Sequence, residues 1–248
     1  MNTDGSHEES DENSRTILEA SGVDVAAMRE SYESHGLTKA DLAADPIEQF
    51  ELWFINWIRT EPYDPNAVII ATVDNNQWPS ARAVLLKGVD KNGFVFHTNR
   101  TSDKGKDLER SKRVAMCFLW HPLERQIRVV GQVEHLDDSI SDAYFASRPR
   151  GAQIGAWASP QSQVLANRTE LDDLLAVTKA RFAEDEDDLG SPVPRPPHWG
   201  GYLVRPLSIE FWQGRRNRLH DRLRYRRAES QAHLPSNESD WVIERLAP

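Results

Sequence analysis

Residues 67–98 read AVIIATVDNNQWPSARAVLLKGVDKNGFVFHT, and their pattern is the clearest structural signal in the chain. Three segments rich in apolar residues, Ala67–Val73, Ser80–Lys87 and Gly93–Thr98, are separated by the turn-forming sequences DNNQ and DKNG. Apolar runs of this length joined by short turns are typical of strands that follow one another in an antiparallel sheet. The stretch therefore predicts a meander of three strands.

The rest of the chain extends this pattern. Further strands are predicted at Val114–Trp120, Arg125–Leu136, Gly201–Trp212, Arg218–Arg227 and Trp241–Leu246. Helices are predicted near Val23–Ser34, after the capping sequence Asp45-Pro46, at Lys104–Arg110, near Ser139–Ser147 and at Thr169–Ala183. Strands linked mostly by hairpins, without regular alternation with helices, indicate a mainly β protein with flanking helices (α+β) built on an antiparallel barrel.

The domain organisation follows from composition. Residues 1–22 are acidic and nearly free of large apolar groups, so we expect a disordered tail there. Residues 23–248 are expected to form a single domain, interrupted by an acidic, proline-rich loop near residues 184–199. The net charge is −9, yet Lys and Arg concentrate at Arg215–Arg227. An acidic chain with such a basic stretch suggests a small anionic ligand rather than a nucleic acid or a membrane surface.

Other classes of protein are disfavoured. Cys117 is the single cysteine, so no internal disulfide can form, and its apolar surroundings indicate a core position. The first residues lack an apolar stretch, and no run approaches the roughly 20 apolar residues of a membrane span, so we expect a cytoplasmic protein. The sequence contains no HExxH, no GxSxG, no GxGxxG and no GxxxxGK[ST], so any nucleotide-like ligand would be held by side chains.

The basic stretch at Arg218–Arg227 is the first candidate site. Alternation along a strand places five titratable side chains on one face, namely Arg218, His220, Arg222, Arg224 and Arg226. Two interpretations stay open. The face is either a charged, solvated edge strand or a surface against which an anion lies, because the planar guanidinium group suits phosphate.

Smaller groups of polar residues form the remaining candidates. Arg82 and Lys87 stand at the two ends of an apolar strand; alternation puts them on opposite faces, reaching solvent or different ligands, unless a bulge brings them together. His97-Thr98, Lys104 and Gln161-Ser162 together offer the hydroxyl, amide and ammonium groups that can hold a phosphate. Trp212, just before the basic stretch, either packs in the core or lies beside a flat ring.

Taken in order, these signals resemble those of the pyridoxine/pyridoxamine 5'-phosphate oxidase family. The resemblance extends from about Met28 to the C-terminus. It rests on many ordered matches: Arg29-x-x-Tyr32, Ala44-Asp45-Pro46, Arg82-x-x-Leu85-Leu86-Lys87, Phe96-x-Thr98-Asn99, Glu124-Arg125-Gln126, Ser147-Arg148-Pro149, Gln153-Ile154-Gly155-Ala156, Gln161-Ser162, Glu210-Phe211-Trp212-Gln213-Gly214, Arg218-Leu219-His220-Asp221-Arg222 and Arg245-Leu246-Ala247-Pro248.

The resemblance implies an FMN-binding split β-barrel of antiparallel Greek-key type, working as a homodimer with FMN at the interface. It implies FMN contacts by Arg82, Ala83, Val84, Leu85, Leu86, Lys87, His97, Thr98, Lys104, Gln126, Gln161, Ser162, Trp212 and Arg222. It implies substrate contacts by Arg29, Tyr32, Lys87, Tyr144, Arg148, Arg218 and His220, with Arg218 and His220 as the catalytic pair.

The activity that the resemblance implies is oxidation of pyridoxine 5'-phosphate and pyridoxamine 5'-phosphate to pyridoxal 5'-phosphate. Hydride passes to the flavin, and O2 is the acceptor and yields H2O2. Two alternatives stay open: a related flavin oxidase of the phenazine-biosynthesis type, and a non-catalytic protein that binds FMN or pyridoxal phosphate. Two positions depart from the family pattern. Asp103 replaces an arginine, so either FMN binds more weakly or the carboxylate points away, and Ala152 replaces a serine.

Overall fold

The structure, a computed structural model, describes residues 21, 24–27, 32, 36–182, 192–227 and 241–248. Most of the predicted acidic tail, the first half of the predicted proline-rich loop and Arg29 lie outside the described residues. So does most of the helix predicted at Val23–Ser34, where the described part contains one short 3-10 turn at Val25–Ala27. The division of the chain into a tail and one domain stays a prediction.

Eight strands form one antiparallel sheet, and five α-helices accompany it in the described part of the chain. The strands are β1 Ala67–Val73, β2 Pro79–Asp90, β3 Gly93–Asn99, β4 Arg113–Trp120, β5 Arg125–His135, β6 Trp199–Gln213, β7 Asp221–Arg227 and β8 Trp241–Leu246. The helices are α1 Pro46–Ile58, α2 Asp103–Ser111, α3 Asp138–Ala146, α4 Arg150–Ala158 and α5 Arg168–Phe182.

The sheet closes into a six-stranded barrel. Its strand order is β3-β2-β1-β4-β5-β6-β7-β8, and β3 also pairs with the first half of β6, which joins the two ends of the six-stranded part. The second half of β6 carries β7 and β8 as an extension. The predicted three-strand meander and the antiparallel barrel are confirmed.

Helix α1 supplies the largest aromatic side chains of the core. The Asp45 carboxylate accepts hydrogen bonds from the backbone N–H groups of Ile47 and Glu48, which confirms the predicted cap. Phe50 is fully buried, and its ring centroid lies 5.0 Å from those of both Phe94 and Phe118. The cap therefore begins a helix whose apolar face packs against the barrel core.

Part of the barrel's outside is also apolar. Four side chains on the neighbouring strands β2, β1, β4 and β5 are 40–54% exposed: Leu85, Ile69, Leu119 and Val130. We call this surface the outer apolar face. A contiguous apolar patch of this kind usually marks a contact with another molecule.

Two expectations need correction. Residues 150–158 form a helix that the sequence did not reveal, because its small side chains lack a strong apolar periodicity. The strand predicted at Arg218–Arg227 begins only at Asp221. Asn217 and Arg218 have positive φ angles of 58° and 60°, which a strand cannot contain, so Arg218 and His220 lie on a turn before it.

Candidate active site

A cavity of about 620 Å³ opens beside β2, β3, α3 and α4. Ten of its lining residues were predicted to bind cofactor or substrate: Ala83, Val84, Leu85, Lys87, His97, Thr98, Lys104, Tyr144, Arg148 and Gln161. The sequence did not single out the others, among them Trp199, Ser159 and the small residues along α4. Ala152, Gly155 and Ala156 lie along one edge of α4. Because they are small, they leave open the part of the cavity that larger side chains would fill.

Lys87 reaches this cavity because β2 is irregular there. The pairing of β2 with β3 shifts register between Leu86 and Gly88, so a bulge, left open by the sequence, is present at Lys87. Leu86 is 5% exposed and points into the core, whereas Lys87 is exposed and its Nζ lies 5.8 Å from the Tyr144 ring centroid. The bulge thereby places Lys87 on the Tyr144 side of the cavity.

Arg82 does not line the cavity, but its positive charge acts on Lys104, which does. Its guanidinium donates to the hydroxyl of Thr72 (2.7 Å), which itself donates to Asp107. Burial lowers the pKa of Lys104, and the positive charge of Arg82 lowers it further. Two neighbouring cations that disfavour each other's charge are suited to an anion between them.

The predicted group of hydroxyl, amide and ammonium groups assembles around Lys104. Its Nζ donates to Gln161 Oε1 at 2.8 Å, and the Thr98 hydroxyl donates to the same oxygen at 3.4 Å. Ser162 lies at a positive φ of 73°, where its hydroxyl accepts from the backbone N–H of Asp103. The Asp103 side chain is 70% exposed and its carboxylate lies 3.9 Å from Lys106 Nζ, but its negative charge also acts on Lys104 and partly offsets the lowering of that residue's pKa.

Three stacked rings form the other side of the cavity. The His97 ring lies 4.2 Å from that of Tyr144 and 5.1 Å from that of Trp199, and these two rings lie 6.0 Å from each other, all measured between ring centroids. Burial, together with the charges of Arg148, Lys87 and other cations, lowers the pKa of His97 to about 4, so the ring is neutral at pH 7. The Arg148 guanidinium lies 4.8 Å above the Trp199 ring. Arg148 Nη1 is buried and has no hydrogen-bond partner in the described part of the chain.

A second group of predicted residues lies elsewhere on the chain. A smaller cavity of about 170 Å³ is lined by Tyr32, Gln126 and Trp212, among others. The His220 ring lies 4.6 Å from Trp212 and 5.6 Å from Tyr32, centroid to centroid. His97 pairs with Gly201 on β6, and Trp212 lies 11 residues further along (212 minus 201), about 36 Å at about 3.3 Å per residue. Within one chain the two groups are therefore separate.

The turn before β7 fixes the His220 ring. The backbone N–H of Arg215 donates to His220 Nδ1 at 3.1 Å. Since Nδ1 accepts, the proton of the neutral ring is on Nε2. Burial and the nearby charge of Arg218 lower the pKa of His220, which favours this neutral form.

The cationic face of β7 is balanced by the chain's own carboxylates. Arg224 and Arg226 both pair with Glu244 on β8, at 2.6 Å and 3.2 Å. Arg222 donates to Glu210 Oε1 on β6 at 2.7 Å. These ion pairs within the chain balance the charges of Arg224 and Arg226, so no external anion is needed to explain this part of the face.

Other kinds of site find no support in the described ranges. No group of three or more His, Cys, Asp or Glu side chains there could hold a metal ion. None of the helices in those ranges has both the length and the apolar character needed to cross a bilayer.

Comparison with known proteins is consistent with this geometry. Residues 57–181 match the family described as pyridoxamine 5'-phosphate oxidase, and residues 199–248 match the pyridoxine 5'-phosphate oxidase C-terminal dimerisation region. The pyridoxine/pyridoxamine 5'-phosphate oxidase of Salinibacter ruber is 50% identical over 90% of this chain and 99% of its own length.

Two solved structures share the fold. PhzG from Burkholderia lata, in complex with tetrahydrophenazine-1-carboxylic acid, has a TM-score of 0.75 and 28% identity, over 88% of this chain and all of its own. A pyridoxamine 5'-phosphate oxidase-related, FMN binding protein from Nostoc punctiforme has a TM-score of 0.60 and 17% identity, over 84% of this chain and all of its own. The second likeness shows the fold alone.

Proposed function

Because this chain belongs to the pyridoxamine 5'-phosphate oxidase family, we propose that it oxidises pyridoxine 5'-phosphate and pyridoxamine 5'-phosphate to pyridoxal 5'-phosphate, with FMN as its flavin. The chain is an oxidoreductase, and the dimerisation region at residues 199–248 supports a homodimer. The observation that carries the proposal is a pair of separate cationic groups around one cavity. Lys104 with Arg82 forms one, and Lys87 with Arg148 the other.

The first cationic group fits the phosphate of FMN. Lys104 and Arg82 bring two positive charges, and Thr98, Gln161 and Ser162 add hydroxyl and amide groups. Lys104 Nζ now donates to Gln161 Oε1 at 2.8 Å. An anion that replaces this contact would accept from the Lys104 ammonium, and Gln161 could donate to it only through its Nε2 amide group. When bound, the flavin supplies the hydride acceptor and passes the electrons on to O2.

The second cationic group fits the substrate's phosphate. Arg148 has a buried, unpartnered Nη1 donor, and Lys87 stands on the same side of the cavity, near Tyr144. A bidentate guanidinium and an ammonium are the donors that phosphate prefers. Ala152 offers no hydroxyl in this region, so the cations carry more of the binding.

We place the complete site between two copies of the chain. One chain carries the cavity and, well apart from it, Trp212, Gln126 and His220. A two-fold contact through the outer apolar face is self-complementary and brings each group of one protomer towards the cavity of its partner. FMN bound at the interface would account for both groups of residues. It would be contacted there by Gln126, Trp212 and Arg222 from the second protomer.

In this arrangement the chain's side chains bind and orient. His220 presents Nε2–H, and Arg218 presents a guanidinium, so both can donate hydrogen bonds to the substrate. Positioning the substrate carbon against the hydride acceptor is the main requirement for this reaction. Tyr32 beside His220 helps to exclude water from the donors.

A flavin oxidase acting on a phenazine-type ring is the second candidate, because the structure resembles PhzG with a TM-score of 0.75. The lower identity, 28% against 50%, favours the vitamin B6 phosphates. So do Lys87 and Arg148, since a second cationic group suits a phosphorylated substrate.

One experiment separates these candidates. The purified protein is examined for flavin absorbance, and oxygen uptake is followed with pyridoxine 5'-phosphate, pyridoxamine 5'-phosphate and unphosphorylated pyridoxine. We expect a yellow protein that turns over both phosphates and is much slower with pyridoxine. A yellow protein that oxidises neither phosphate would contradict the proposal.

A further inference from the structure

Asp221 lies between His220 and Arg222 in sequence, yet its side chain faces neither cavity. It is 15% exposed, and three donors from three parts of the chain converge on it. The Leu37 backbone N–H donates to Oδ2 at 3.0 Å, Arg215 Nη1 donates to the same oxygen at 3.2 Å, and Arg245 Nη1 donates to Oδ1. The carboxylate thus joins the N-terminal segment, the turn before β7 and the C-terminus.

Leu37 is held through both of its peptide groups. Its N–H bonds to Asp221, and its carbonyl oxygen accepts from Arg245 Nη2 at 2.9 Å. Tyr32 is five residues upstream (37 minus 32), and its ring lies against Trp212 and His220. Fixing Leu37 therefore limits how far Tyr32 can move from these rings.

Arg215 connects the same carboxylate to His220. Its side chain binds Asp221, while its backbone N–H donates to His220 Nδ1. A Cβ built on Gly36 would lie 1.8 Å from Arg215 Nη1 and 2.9 Å from Asp221 Oδ2, so a side chain at residue 36 would make the flexible guanidinium shift from its present position. Although burial opposes it, the bonds from Leu37, Arg245 and Arg215 hold the pKa of Asp221 below its usual range, so the carboxylate is charged at pH 7.

We propose that Asp221 is a positioning residue, whose carboxylate clamps Leu37 and Arg215 together and so holds Tyr32 and His220 in place for the substrate. It acts through these groups and touches neither substrate nor flavin. The inference rests on the proposed function for its kinetic effect. The clamp itself has a structural signature, the protection of the Leu37 amide.

The test compares Asp221→Asn with Glu244→Gln. Both remove one negative charge that pairs with two arginines, but in the described part of the chain Glu244 contacts Arg224 and Arg226 on β7 and not the N-terminal segment. Hydrogen exchange is measured on the peptide that contains Leu37. We expect exchange about tenfold faster in Asp221→Asn, since its ion pairs are lost, and unchanged in Glu244→Gln.

Kinetics with pyridoxine 5'-phosphate supply the second measurement. Asp221→Asn should raise KM about tenfold, as expected for the loss of charge-assisted bonds, and should leave the flavin content unchanged. Glu244→Gln should leave KM unchanged. Tyr32→Ala should add little in the double variant, because both changes release the same group. Asp221→Glu, which keeps the charge, should recover part of the loss.

Three results would overturn the proposal: normal Leu37 exchange in Asp221→Asn, equal effects of Glu244→Gln, or fully multiplicative effects of Asp221→Asn and Tyr32→Ala. If Asp221→Asn does not fold, Arg245→Met replaces it. This variant removes the donor that binds both Asp221 Oδ1 and the Leu37 carbonyl oxygen, and the same outcomes decide. A wild-type protein that oxidises neither phosphate contradicts the proposed function, whereas the exchange measurement still decides whether the clamp exists.

Discussion

The imidazole of His97 lies against the phenol ring of Tyr144, with 4.2 Å between ring centroids and 29° between ring planes. Burial and the surrounding cations Arg148, Lys87, Arg100 and Arg195 keep this ring neutral, with a pKa of about 4. Such a histidine makes stability depend on pH. The ordinary pKa of 6.5 applies to the unfolded chain, which therefore binds the proton first as the pH falls.

His97→Phe should accordingly reduce acid sensitivity. Stability associated with neutral His97 is fully present above pH 6.5 and is lost as the pH falls from 6.5 towards about 4. Phenylalanine retains a flat ring against Tyr144 and Trp199 but binds no proton. Urea unfolding at several pH values should show a shallower fall for the variant over this range, and parallel falls for the two proteins would refute the assignment.

Lys104→Met should weaken FMN binding by at least about tenfold, because a charge-assisted bond to phosphate is lost. Fluorescence titration of the apoprotein measures the affinity. Riboflavin, which has no phosphate, is the ligand control and should bind both proteins equally. Lys106→Met, on the same helix but 65% exposed and paired with Asp103, is the variant control. An equal loss for FMN and riboflavin would place Lys104 beside the ring instead.

Arg218→Ala should lower turnover roughly 100-fold, since substrate positioning contributes on that order, and should leave the flavin bound. Oxygen uptake and the flavin spectrum measure the two effects. Arg226→Ala is the control variant. It removes a guanidinium that belongs to the same basic segment and pairs with Glu244, and this variant should retain turnover. Loss of flavin from Arg218→Ala would show that Arg218 serves the cofactor.

Asp45→Ala should lower the free energy of unfolding by about 1 kcal/mol, the usual contribution of a helix N-cap. Its carboxylate bonds to two backbone N–H groups at 2.7 Å and 3.2 Å. Asp45→Asn keeps an oxygen acceptor and should cost little. Denaturant unfolding distinguishes the two, and equal losses would mean that charge, not capping, matters.

Local patterns account for much of what was predictable. The alternation and turns of residues 67–98 predicted the meander, and Asp45-Pro46 predicted the start of α1, because each depends on neighbours within a few residues. Helix α4 escaped prediction. Its Ala152, Gly155 and Ala156 border a cavity, so it has few of the large apolar residues that make a helical period visible.

The candidate site divides in the same way. The order of motifs along the chain identified the family and nearly all the residues proposed to bind ligands. It did not show that Asn217 and Arg218 form a left-handed turn, that Glu210 and Glu244 neutralise the face of β7, or that His97 packs against two other rings. The last two depend on elements distant in sequence.

The sequence by itself determined the strands, the capped helix and the chemical types of the site residues, since these follow from side-chain period and identity. Only the tertiary structure decided which charges meet. Asp221 contacts Leu37, Arg215 and Arg245, which lie up to 184 residues away along the chain. Electrostatic pairs depend on distance in space, and closing the barrel sets those distances.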